Sequence, residues 1–156
     1  MAANISPQLQ SLLASFCQSV GLDTSAEAVG IEFEAMGHIV AVSADPRADD
    51  RLLAEVIVGG QTNWPAGLGD LLHRLNDAAR LEHDWIATVG ADGELRLHTQ
   101  RRIAETGAGD LEALLADGLD RGLALAELTL AIADGSRSPG GADGPPGPPP
   151  GSMLRA

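Results

Sequence analysis

A chain of 156 residues can bury one hydrophobic core but is too short for two domains of ordinary size. Its 22 acidic residues outweigh ten arginines, with no lysine, and the formal charge of −12 disfavours nucleic acid and anionic membrane surfaces as partners. A single cysteine, Cys17, excludes an intrachain disulfide and a cysteine-built metal cluster.

In chain order, Ser6-Pro7 reads as a helix cap followed by a first-turn proline. Behind it Leu9, Leu12, Leu13, Phe16, Cys17 and Val20 recur at helical spacing, and Gly21 closes the stripe. From Val29 the period changes to two. Val29, Ile31, Phe33 and Ala35 alternate with Gly30, Glu32 and Glu34, the pattern of a strand with one wet face. A tight turn at Met36-Gly37-His38 leads into a denser apolar strand over 39–44. The run Asp45-Pro46-Arg47-Ala48-Asp49-Asp50 is loop chemistry, and a third strand spans 52–58.

Asn63 or Trp64 is expected to cap a second helix, with Pro65 near its first turn and Leu68, Leu71, Leu72, Leu75 and Ala79 on one stripe. Segments 85–89 and 94–98 flank Gly90-Ala91-Asp92-Gly93, a strong hairpin signal. Asp110 is expected to cap a last, leucine-rich helix reaching about Ala133. From Gly135 onward the chain carries six of its nine prolines and little apolar material, which predicts a folded part over 1–134 and a disordered tail over 135–156. The piece GPPGPPPG fails the collagen period at once. The expected fold is α+β, in the order α-β-β-β-α-β-β-α, with a twisted antiparallel sheet packed on helices.

Chemistry is hard to find. His38, His73, His83 and His98 include no pair at i, i+4, and no HExxH occurs. His73 and Asp77 share a helix face as a solvated pair, and His98 is placed at a strand end beside Arg101 and Arg102. Gly67-Leu68-Gly69-Asp70 matches neither phosphate-binding pattern, and no lysine is present to reach a phosphate. No GxSxG is present either. No catalytic residues, metal ligands or cofactors are assigned. A small enzyme or ligand-binding α+β domain built around His38, His98 or Asp92 is the alternative, and a regulatory module without a client is a third class.

The helix LQSLLASFCQSVGLD at 9–23, the strands GIEFEAMGHIVAVSA at 30–44 and LLAEVIVGG at 52–60 stand in a telling order. The leucine helix at 68–81, the hairpin DWIATVGADGELRLHTQ at 84–100 and the helix LEALLADGLDRGLALAEL at 111–128 complete it. This series resembles the class I chaperones of bacterial type III secretion, the Tir-chaperone (CesT-like) family. The resemblance spans 6–134 and lies in pattern; the Gly/Pro-rich tail departs from it.

The resemblance implies a cytoplasmic homodimer that binds the N-terminal, non-globular stretch of a secreted effector. It also implies presentation of that client to the secretion ATPase, with no catalysis and no ATP binding, and the acidic charge argues against nucleic acid or membrane as a partner. By that analogy the dimer interface falls on Trp64, Leu68, Leu71, Leu72, Leu75 and Trp85, each equally able to be intrachain core. Effector contacts fall on Leu12, Phe16, Ile31, Phe33, Ile39 and Val40, of which one face must be core because neighbours on a strand point to opposite sides. The absence of an apolar run long enough to span a bilayer agrees with the cytoplasm.

Overall fold

A computed structural model describes residues 6–25, 28–60, 64–82 and 85–136. Among these residues, three helices, α1 (Pro7–Val20), α2 (Leu68–Glu82) and α3 (Ala108–Ser136), accompany five strands and a short 3-10 turn at Ile103–Glu105. The strands are β1 (Gly30–Ala35), β2 (His38–Ala44), β3 (Arg51–Gly60), β4 (Ile86–Val89) and β5 (Glu94–Arg102). All neighbours are antiparallel, in the spatial order β1-β2-β3-β5-β4. The expected α+β class and element order are both met.

Capping chemistry sets α1 as the sequence predicts. The Ser6 hydroxyl accepts from the Gln8 N–H at 3.3 Å, Pro7 fills the first turn, and Gly21 ends the helix in the left-handed region at φ 75°. Of the predicted stripe, Leu9, Leu12, Leu13, Phe16 and Cys17 are buried, while Val20 is exposed because the chain leaves the helix there.

Strand register sorts the sheet into two faces. Phe33, Val40, Val56, Leu97 and Ala87 form one inward row, and Ile31, Val42, Ala54 and Thr99 the next. Helices α1 and α3 cover these rows, and each fully buried Val or Leu contributes about 1.5–3 kcal/mol. The opposite face carries Glu34, Ile39, Ile57, Arg96 and Thr88, then Glu32, Ala41, Glu55, His98 and Ile86. Val40 and Val42 are fully buried, so the apolar second strand mainly lines the core, and Ile39 is its outward exception at 40% exposure.

Close approach of α3 to the sheet depends on two glycines one turn apart. A Cβ on Gly122 would stand 3.2 Å from Val56 Cγ1, and one on Gly118 would collide with the Trp85 ring. Glycine inside a helix costs about 1 kcal/mol against alanine, and here the packing offsets it.

Several boundaries differ from the sequence reading. Helix α2 starts at Leu68, not beside Pro65, because Gly67 takes a left-handed φ of 92° and interrupts the helical path. Asn63, one of its two expected caps, lies outside the described residues. Helix α3 starts before Asp110, whose carboxylate reaches back to accept from the Gly107 N–H at 2.9 Å, so Asp110 caps from the first turn and not from the cap position. The same helix runs through Gly135 and Ser136, the first two residues assigned to the tail; the other tail positions, 137–156, lie outside the described residues. Strand β5 continues to Arg102, which places His98 in mid-strand and corrects its assignment to a strand end.

Candidate functional site

The two edges of the sheet are finished differently. On β4, the Asn76 side chain of α2 accepts from the Ala87 N–H at 2.8 Å and donates to the Ala87 carbonyl at 2.7 Å. One amide side chain thus imitates a neighbouring strand and satisfies the edge backbone at Ala87. Trp85, just before β4, donates its indole N–H to Asp117 at 3.1 Å, and Trp64 donates its own to the Gly93 carbonyl at 2.9 Å. Asp117 also accepts from Arg121 Nε at 2.9 Å within α3, while the Trp85 bond ties α3 to the chain entering the β4–β5 hairpin.

Strand β1 is the other edge. Met36 (φ 53°) and Gly37 (φ 78°) are both left-handed, which makes the β1–β2 connection a type I′ turn. In that geometry Ala35 and His38 exchange hydrogen bonds, and alternation directs the backbone of Ile31 and Phe33 toward β2. The N–H and C=O groups of Glu32 and Glu34 therefore point away from the sheet, with no strand beyond them among the described residues. Gly30 begins the strand where a Cβ would meet the Val42 carbonyl oxygen at 2.7 Å.

Beside this open edge, a groove of about 260 Å³ runs between the end of α1 and β1, lined by Cys17, Leu22, Ser25, Ile31 and Phe33 among others. The Phe16 and Phe33 rings lie 6.2 Å apart at 35°. The structure brings together Leu12, Phe16, Ile31, Phe33 and Val40 on the helix-covered side, with Ile31 and Phe33 half-buried and the other three buried. It places Ile39 on the opposite face.

Of the residues assigned to a dimer interface, Leu68, Leu72 and Trp85 are buried in the chain's own core, and Trp64 and Leu71 pack half-buried against it. Leu75 is 39% exposed and, with Leu128 at 43%, rims an apolar groove of about 240 Å³ between α2 and α3.

The three side chains of the alternative site are not assembled. His38 sits at the start of β2 on the inner side, buried beside Gly122, with neither ring nitrogen hydrogen-bonded. His98 belongs to an outward row of β5, and burial pushes its pKa below the ordinary histidine value while Glu55 across the strand pulls the other way. Asp92 is occupied in its own turn, accepting from the Glu94 N–H at 3.1 Å and from Arg96 at 2.6 Å. These contacts hold its carboxyl below the usual range. Among the described residues, no group of three His, Cys, Asp or Glu side chains could hold a metal ion, and no helix is long and apolar enough to cross a membrane. His73 and Asp77 are an exposed pair at 3.4 Å, as expected.

No family model matches the sequence, and no curated protein matches it. Solved structures do. A chain of the HopA1–SchA chaperone–effector complex aligns with a TM-score of 0.66 at 14% identity, covering 80% of this chain and 98% of that one. A chain from the complex of the Yersinia pestis type III secretion chaperone SycH with a fragment of YscM2 aligns at 0.59 and 22% identity, over 74% of this chain and 98% of that one. The fold is that of the type III secretion chaperones. A chain of the ExsC–ExsE complex adds a TM-score of 0.67 at 22% identity, over 81% of this chain and 97% of that one.

Within this secretion-chaperone fold, sequence reasoning missed Asn76, Gly118 and Gly122. Their signals were available. Asn76 lies between Leu72 and Ala79 on an apolar stripe, where a polar side chain must find a partner. Gly118 and Gly122 stand four apart in a leucine-rich helix, which marks a line of close approach.

Proposed function

We propose that this chain is a class I type III secretion chaperone, a cytoplasmic homodimer that binds the N-terminal, non-globular segment of one or more secreted effectors and keeps it soluble. The observation that carries the reading is the match, over nearly the whole of each neighbour, to chains from chaperone–effector complexes. The open β1 edge supports it. A client segment adds a strand there through the free backbone of Glu32 and Glu34, and alternate side chains enter the groove at Ile31 and Phe33. The acidic surface favours solubility while an apolar client is held. Leu75 and Leu128 support a homodimer through the α2–α3 groove, continuous with the buried Leu68, Leu72 and Trp85.

The test is co-expression with the N-terminal segment of a candidate effector, followed by size exclusion with light scattering. Two chaperone chains per client are expected, together with loss of client aggregation. Phe33→Glu, confirmed as folded by circular dichroism, is expected to weaken client binding by roughly tenfold or more. A folded Phe33→Glu protein with unchanged binding, or a monomer at micromolar concentration, would sink the assignment.

A further inference from the structure

Arginines are scarce in this chain, yet five of the ten gather at one end of the sheet. Arg47 lies in the β2–β3 loop, Arg51 opens β3, Arg101 and Arg102 close β5, and Arg80 lies in the last turn of α2. Arg51 and Arg102 are direct cross-strand partners. Strand β4 begins at Ile86 opposite His98, so the last residues of β5 run on without it and the final turns of α2 flank them instead. The result is a recess of about 300 Å³ walled by Arg51, Arg80, His98 and Gln100 over Ile86 and Ala79.

Two observations set its charge. Among the described residues, Arg51 donates to the Gln100 side-chain oxygen at 3.4 Å, and neither Arg51 nor Arg80 has a carboxylate partner. Nearby acids among the described residues are placed otherwise. Glu105 pairs with Arg102 at 3.2 Å, Asp45 is buried and accepts from the Arg47 N–H, and Glu55 faces His98 from the next strand. Asp49 and Asp50 lie on the exposed loop ahead of β3. Among the described residues, two guanidiniums without a carboxylate partner therefore line the recess beside His98, in a chain of charge −12.

We propose that this recess binds carboxylate side chains from an acidic segment of a partner protein, a second contact separate from the β1 edge. Guanidinium forks match carboxylates bidentately. The recess opens onto the outward face, where Leu53 and Gln100 share a row and Ile57 lies further along β3. An extended acidic segment with interspersed apolar residues uses both the charge and that strip. Because the chain as a whole repels acidic partners, this corner also orients the encounter.

The test uses the full chain and fluorescence anisotropy with a labelled Glu-Leu repeat peptide and its Gln-Leu counterpart. The Glu peptide is expected to bind, the Gln peptide to bind far more weakly, and added salt to weaken the former. Arg51→Glu with Arg80→Glu is expected to reduce affinity by about tenfold or more. Arg51→Gln with Arg80→Gln, which adds no new charge, lowers it less, and Arg74→Glu on the exposed side of α2 leaves it unchanged. Equal binding of both peptides, or arginine variants that bind like the parent, would overturn the proposal. So would inorganic phosphate that fills the recess and displaces the peptide at matched concentration, or self-association of the chain that the arginine substitutions abolish.

Discussion

The two edges of one sheet solve the same problem in opposite ways. At β4 the unpaired backbone of Ala87 is satisfied by the Asn76 amide, and Trp85 and Trp64 fasten the adjoining hairpin to α3 and the chain ahead of α2. At β1 no strand among the described residues pairs with Glu32 and Glu34, and the groove lined by Leu22, Ile31 and Phe33 runs alongside. Edge strands are normally blunted because they recruit other strands. Among the described residues, one edge is blunted by a dedicated side chain and the other carries two carboxylates, and the proposed docking of a client on β1 rests on that contrast.

The largest disruption of the closed side is expected from Trp85→Ala. It removes a buried indole, its bond to Asp117 and the ring that fills the gap over Gly118. A loss of about 3–5 kcal/mol is expected in urea denaturation. Asn76→Ala comes next, because it strands the Ala87 N–H and C=O, with an expected cost of about 1–3 kcal/mol. Its sharper readout is hydrogen exchange, where the Ala87 amide should approach the exchange rates of Glu32 and Glu34. An unchanged Ala87 rate would dissolve the contrast between the edges.

How far the sequence reveals this contrast depends on the element. Helix α1 is legible to its caps because Ser6, Pro7 and Gly21 act locally. Strand alternation shows that Glu32 and Glu34 share a face, and the hairpin follows from Met36-Gly37. The start of α2 is misread because Asn-Trp-Pro resembles a cap, while a left-handed Gly67 two residues later overrides it. Which strand becomes an edge is a long-range outcome: β5 inserts between β3 and β4, and no local pattern announces that. The same limit governs the assigned contacts. Val40 and Trp85 look like the other apolar candidates until topology places them in the core, and Ile39 parts from its neighbour Val40 only through the pleat.

At the tip of the open edge, Met36 carries a side chain in a backbone region that disfavours one, and the residue is two-thirds exposed. Met36→Asn is therefore expected to stabilise the β1–β2 hairpin by roughly 1 kcal/mol, seen as a higher denaturation midpoint. Client binding should be preserved, because the tip lies outside the groove lining. A lower midpoint would mean that Met36 makes contacts worth more than its backbone strain.

The smallest expected effect joins the two edges through the outward row Glu32–Ala41–Glu55–His98–Ile86. Burial lowers the His98 pKa below its ordinary 6.5, with Arg47 adding in the same direction and Glu55 opposing. The unfolded chain then binds the proton more readily than the folded one, so stability from this residue is complete above 6.5 and declines as pH falls through the folded value. His98→Gln keeps a polar, uncharged side chain in the row and removes that slope. Urea midpoints compared between about pH 7.5 and 5.5 should fall more for the parent than for the variant, since the other histidines and carboxylates are common to both. Parallel slopes would show that His98 is open to water in the folded state, and that the row between the edges is wetter than its packing indicates.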